Sequence, residues 1–233
     1  VILGESSNLV LQTGVIEICK EAVGGALVYD ILGVTEDNEL VRFRSNAPGT
    51  IIGAPIPITG LTDVDDFIVG IDIRPATGQL YGFGSDDRLY LINMVTGAAT
   101  PVGGVIANPV PDEFSGFDFN PVVDRIRFGN VENYRINPND GTFVQDTDFS
   151  PGIAANAYTN NFQGAVSTLL YGIRGNNDTL YVSNNPNAGT LTTVGSLGVD
   201  VGAVGRDHLV ADVELVGAED VGLLAVGVVE QRD

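Results

Sequence analysis

Tryptophan is absent from this 233-residue chain, and cysteine, methionine, histidine and lysine occur once each, as Cys19, Met94, His208 and Lys20. A lone cysteine forms no intrachain disulfide. One cysteine and one histidine cannot furnish a zinc site, which takes three or four nitrogen and sulfur ligands. Nucleophilic catalysis has little to build on, because Gly195-Ser196-Leu197-Gly198 is one residue short of a G-x-S-x-G elbow and His208 is the single imidazole. No apolar run approaches the roughly 20 residues of a spanning helix. Basic residues are scarce: 11 Lys and Arg stand against 30 Asp and Glu, a net charge of −19. A chain so acidic repels phosphate backbones and anionic lipid surfaces, so neither nucleic acid nor membrane is expected as a partner. It suits salty surroundings, where screening over about 8 Å or less makes self-repulsion tolerable.

What is plentiful is glycine, 30 residues of it, and part of it is periodic. A glycine opens a Thr/Ala/Val-rich segment at Gly49, Gly97, Gly141 and Gly189. Upstream of each lies a strand, a turn and a strand. Ile31-Leu32-Gly33 through Phe43 aligns without a gap on Leu80-Tyr81-Gly82 through Ile92; Ile126 to Asn137 and Leu170 to Asn184 follow the same plan. A period near 45 residues built only of short strands marks β-propeller blades. Leu80, Tyr81, Leu89, Leu91, Ile126, Leu170 and Leu180 recur at equivalent positions and are the expected inter-blade core. Turn formers occupy the tips, at Glu36-Asp37-Asn38, Ser85-Asp86-Asp87, Asn130 to Asn133 and Asn176-Asn177-Asp178.

Two blades are preceded by a further alternating strand, Phe67 to Pro75 and Phe114 to Pro121, and Ala155 to Asn160 is the equivalent in the next. These are the expected innermost strands, with Asp72 and Asp118 on the face opposite Ile71, Ile73, Phe117 and Phe119. The fold class is therefore all-β, a β-propeller of about five blades of antiparallel strands with extra terminal strands. Residues 1–24 read as an N-terminal strand segment outside the repeat, 25–205 as the propeller repeats, and 206–233 as C-terminal strands completing the last blade or pairing with another chain.

The runs G-I-D-I-R-P-A-T-G-Q-L-Y-G-F-G-S (70–85), G-F-D-F-N-P-V-V-D-R-I-R (116–127), N-P-N-D-G (137–141), A-Y-T-N-N (157–161) and L-G-V-D (197–200) resemble an uncharacterised secreted bacterial family, number 4394 in the domain-of-unknown-function series. The resemblance covers about residues 27–205 and implies a propeller-like extracellular or cell-surface domain without assigned activity or catalytic residues. Residues 1–24 and 206–233 depart from the family pattern.

Three groups of residues are candidates for chemistry or contact. Asp72 and Asp118, on equivalent strands of adjacent blades, could bind a ligand as a carboxylate pair of the glycosidase kind; the competing reading has them accept backbone hydrogen bonds or pair with Arg74, Arg125 or Arg127. Asp63, Asp65 and Asp66 offer the oxygen ligands calcium takes, and no other cofactor is expected; the bland reading is solvated turn acids. The apolar, β-prone termini, Leu9, Val10, Leu11, Val15 and Ile16 at one end and Leu223, Leu224 and Val226 at the other, either close the ring or pair with a neighbouring chain. The expected function is that of a non-enzymatic extracellular propeller, structural, adhesive or self-assembling into a filament, with itself as partner. A propeller hydrolase or a carbohydrate-binding module with a site at the channel mouth is the alternative.

Overall fold

The computed structural model describes residues 11–23, 26–106, 115–198, 212–216 and 222–226, with side chains described for residues 28, 30–106 and 115–198. The first sheet contains β1 (Leu11–Val23), β2 (Ala26–Thr35), β3 (Glu39–Arg44), β4 (Ala47–Ile51) and β5 (Ile56–Pro57). Both β4 and β5 pair with β3, so the outer strand of this blade comes in two pieces. The second sheet runs β6 (Ile68–Ile73), β7 (Leu80–Gly84), β8 (Leu89–Ile92) and β9 (Ala99–Val102). The third runs β10 (Gly116–Asn120), β11 (Arg125–Gly129), β12 (Tyr134–Ile136) and β13 (Phe143–Gln145). The fourth runs β14 (Ala155–Tyr158), β15 (Leu170–Arg174), β16 (Thr179–Ser183) and β17 (Thr192–Ser196). Every pairing within these sheets is antiparallel.

Inner strands meet in order, β1 against β6, β6 against β10 and β10 against β14, as in a propeller ring. A last antiparallel pair, β18 (Asp212–Val216) and β19 (Gly222–Val226), lies beyond the fourth blade, and β18 packs against both β14 and β1. Four full blades form, one fewer than the sequence suggests, and among the described residues the C-terminal stretch adds one two-stranded pair. The N-terminal strand β1 is the inner strand of the first blade, paired with β2 through three register shifts.

Alternation along each strand builds the core between blades rather than within them. Leu32, Leu40, Ile71, Leu80 and Ile92 fill the space between the first and second blades. Tyr81, Phe83, Leu89, Phe119, Ile126 and Phe128 do so between the second and third, with the Phe83 and Phe128 rings 4.2 Å apart. Of the expected core residues, Leu80, Tyr81, Leu89, Ile126 and Leu170 are buried, while Leu91 and Leu180 are half-buried.

The repeated glycine has a physical cause. Gly97, Gly141 and Gly189 adopt φ of +71°, +70° and +65°, and a Cβ on each would overlap a backbone carbonyl of the preceding blade's outer end, at Pro57, Val102 and Asp148. Only glycine allows both the left-handed turn and that approach. Gly49 lies inside β4 and is not among the glycines of positive φ; no full blade precedes it. At the tips Asn38, Asp87 and Asp178 take φ of +59°, +63° and +49°, conformations that Asn and Asp tolerate.

Candidate functional site

Asp72 and Asp118 occupy equivalent positions on β6 and β10, opposite Tyr81 and Arg127 respectively. Both are buried, at 3% and 5% exposure. Asp72 Oδ2 accepts the Phe119 amide at 2.7 Å, and Oδ1 accepts the Ile73 amide at 2.6 Å. Asp118 Oδ2 accepts the Tyr158 amide at 2.8 Å. Each carboxylate thus spans to the inner strand of the next blade. Burial pushes Asp72 up to about 7, against the opposing pull of its two amide donors.

The three calcium candidates part company. Asp63 Oδ1 accepts the Asp65 amide at 3.0 Å in an exposed turn. Asp66 turns inward, where its Oδ1 accepts Ser85 Oγ at 2.8 Å and the Asp86 amide at 3.1 Å, and its Oδ2 accepts the Tyr90 hydroxyl at 2.9 Å. Desolvation raises its pKa, and the nearby Asp86 carboxylate adds to the rise. Among the described residues no three His, Cys, Asp or Glu side chains gather as metal ligands.

A cleft of about 440 Å³ opens between the third and fourth blades, lined by residues that include Arg125, Arg127, Arg135, Tyr158, Asn184 and Asn185. Arg127 and Arg135 face each other directly across β11 and β12. Like charges in that relation repel, and Asp146 bridges them: its Oδ2 accepts Arg127 Nη1 at 2.7 Å and Arg135 Nε at 2.6 Å, while its Oδ1 accepts Arg135 Nη2 at 2.8 Å. Arg127 is buried, and it also donates to Asn133 Oδ1 at 2.6 Å, Asn187 Oδ1 at 2.6 Å and the Tyr158 hydroxyl at 3.3 Å. Its acceptors come from both blades. On the opposite face of the third blade, Arg74 grips Asp124 through two parallel hydrogen bonds, Nε to Oδ1 at 2.7 Å and Nη2 to Oδ2, joining second blade to third.

The family model described as a domain of unknown function, DUF4394, matches residues 39–230, most of the chain. This chain belongs to the DUF4394 family. No curated protein matches its sequence. Among solved structures it is similar to one described as "Crystal structure of BBS1N in complex with ARL6DN, soaked with mercury", at 18% identity and a TM-score of 0.43, over 91% of this chain. The DUF4394 chain spans 62% of the length of that solved chain.

The terminal candidates of this DUF4394 propeller fall in different places. Leu9 and Val10 lie outside the described residues. Leu11, Val15 and Ile16 belong to β1 within the first blade, and Leu223, Leu224 and Val226 to β19. Sequence reasoning missed the arginine cleft, although the repeat alignment carries a signal for it. Tyr81 faces Leu91 in the second blade, and at the matching positions the third blade has Arg127 facing Arg135.

Proposed function

We propose that this propeller is a non-enzymatic structural or adhesive module of the cell surface or extracellular space. The observation supporting it is that the aligned carboxylates, the acid pair best placed to act as a hydrolase, each commit one oxygen to a backbone amide of the next blade. Acids used in this way make a stiff ring. Secretion is consistent with a fold whose net charge of −19 keeps it apart from other anionic macromolecules.

Self-association completes the reading. β19 (Gly222–Val226) pairs with β18 on one side only among the described strands, and its sequence Gly-Leu-Leu-Ala-Val contains neither charge nor proline. Such an edge is a template for a strand of a second copy, and heterologous contacts that do not close a ring continue into a filament. Light scattering from low to high micromolar concentration, at low and near-molar sodium chloride, tests this. The expected result is growth in particle size with concentration and salt, suppressed by Leu224→Lys in a protein that keeps its β circular dichroism. A chain that stays monomeric throughout contradicts self-assembly.

A further inference from the structure

We propose that the cleft between the third and fourth blades binds an acidic saccharide, its carboxylate held by Arg125 and Arg135 and its ring hydroxyls by asparagine amides. The inference is independent of self-assembly.

Charge placement carries the first step. Three of the chain's ten arginines line one cleft of a protein with a net charge of −19. The repeat itself does not call for arginine at two of these positions, because the equivalents of Arg127 and Arg135 in the second blade are Tyr81 and Leu91. At ion-pair distance Asp146 bridges Arg127 and Arg135, and Asp118 stands opposite Arg127 on β10. Arg125, half-buried, is then in excess at contact range, with the exposed Asp140 acting on it only through space.

Hydrogen-bonding capacity locates that excess. Arg127 is committed to both blades and serves to position its neighbours. Arg125 donates only Nη1, to the Asp124 carbonyl at 2.8 Å, so its Nε and Nη2 have no partner among the described residues. Arg135 turns Nε and Nη2 to Asp146 and leaves Nη1 without one. Guanidinium donors arranged this way suit a carboxylate. Asn184 and Asn185, exposed on the loop between β16 and β17, bring amides that both donate and accept, as vicinal hydroxyls do. Val123 and Pro186 add apolar wall for the CH face of a sugar ring. A volume of about 440 Å³ falls within the range of small-ligand sites. The chain's overall negative field disfavours a long polyanion, so a ligand of one or two charges fits better.

Calorimetric titration of the full chain with digalacturonate, its neutral methyl ester and inorganic sulfate tests the proposal. Digalacturonate is expected to bind, and its ester to bind weaker by about tenfold or more. Arg125→Gln, which leaves the Asp146 bridge intact, should weaken digalacturonate by a similar factor without changing the melting temperature. Asn184→Ala, on an exposed loop, should weaken it by a smaller factor. Four results would overturn the proposal: no binding of digalacturonate to the folded wild type at millimolar concentration, equal binding of the ester, equal binding of sulfate, or a folded Arg125→Gln that binds as the wild type does.

Discussion

The carboxylate of Asp72 in the second blade accepts the backbone amide of Phe119 in the third, at 2.7 Å. The same relation recurs one blade on, from Asp118 to Tyr158. An inner strand hydrogen-bonds to its blade along one edge only, and the amides of its other edge need acceptors wherever they are buried. An aspartate from the preceding blade supplies one. The series stops where the register places Ala157 at the equivalent position of the fourth blade, opposite Tyr171. In the first blade that position, opposite Leu32, is Ile16.

The Asp72 tie has a pH signature. In the unfolded chain this carboxyl ionises near its ordinary 3.8, and in the folded chain near 7 because burial disfavours its charge. Between those values the folded state holds the extra proton, so the group's contribution to stability is fully present below about 4 and is lost as pH rises through about 7. Asp72→Asn cannot titrate. Its melting temperature should fall less than that of the wild type between about pH 5 and pH 8, with the comparison cancelling the other acids. Parallel curves would contradict the assignment.

The repeat glycines should be irreplaceable where blade meets blade. Gly141→Ala forces a Cβ onto the Val102 carbonyl at φ +70°, and should cost about 1–3 kcal/mol or more. Gly104→Ala is the control, since nothing lies within 4 Å of its Cβ position, and should stay within about 0.5 kcal/mol of the wild type. Equilibrium denaturation of both variants decides it; equal effects would remove the close approach as the reason for the repeat.

Salt acts on the chain as a whole. With a net charge of −19, the folded state repels itself, and screening should raise the melting temperature as sodium chloride increases toward molar concentration. A flat or falling curve would show that the acids are already compensated.

The blade plan was legible because its signals are local. Ile71 to Ile73 and Gly116–Asn120 alternate apolar with polar residues, and Gly97, Gly141 and Gly189 recur at similar spacings even though their cause, a carbonyl of the preceding blade, is visible only in three dimensions. β1 was not recognised as an inner strand, since its register with β2 shifts three times, between Leu11 and Thr13, Thr13 and Ile16, and Glu17 and Cys19. Each bulge resets the alternation that marks the other inner strands. The strand composition of the terminal runs suggests a fifth blade, whereas among the described residues they supply β1 to the first blade and the pair β18 and β19. The cleft was hidden by distance along the chain. Arg127 meets Asn187 from 60 residues away, and the run 116–127 that carries Arg127 gives no sign of that partner.

Amide hydrogen exchange in Asp72→Ala tests most directly whether the aspartates are ties between blades. The Phe119 amide should be well protected in the wild type and exchange about tenfold or more faster in the variant, since a buried donor loses its acceptor, while the Tyr158 amide, held by Asp118, keeps its protection. Unchanged exchange at Phe119 would contradict the tie and return Asp72 to the residues available for binding a ligand.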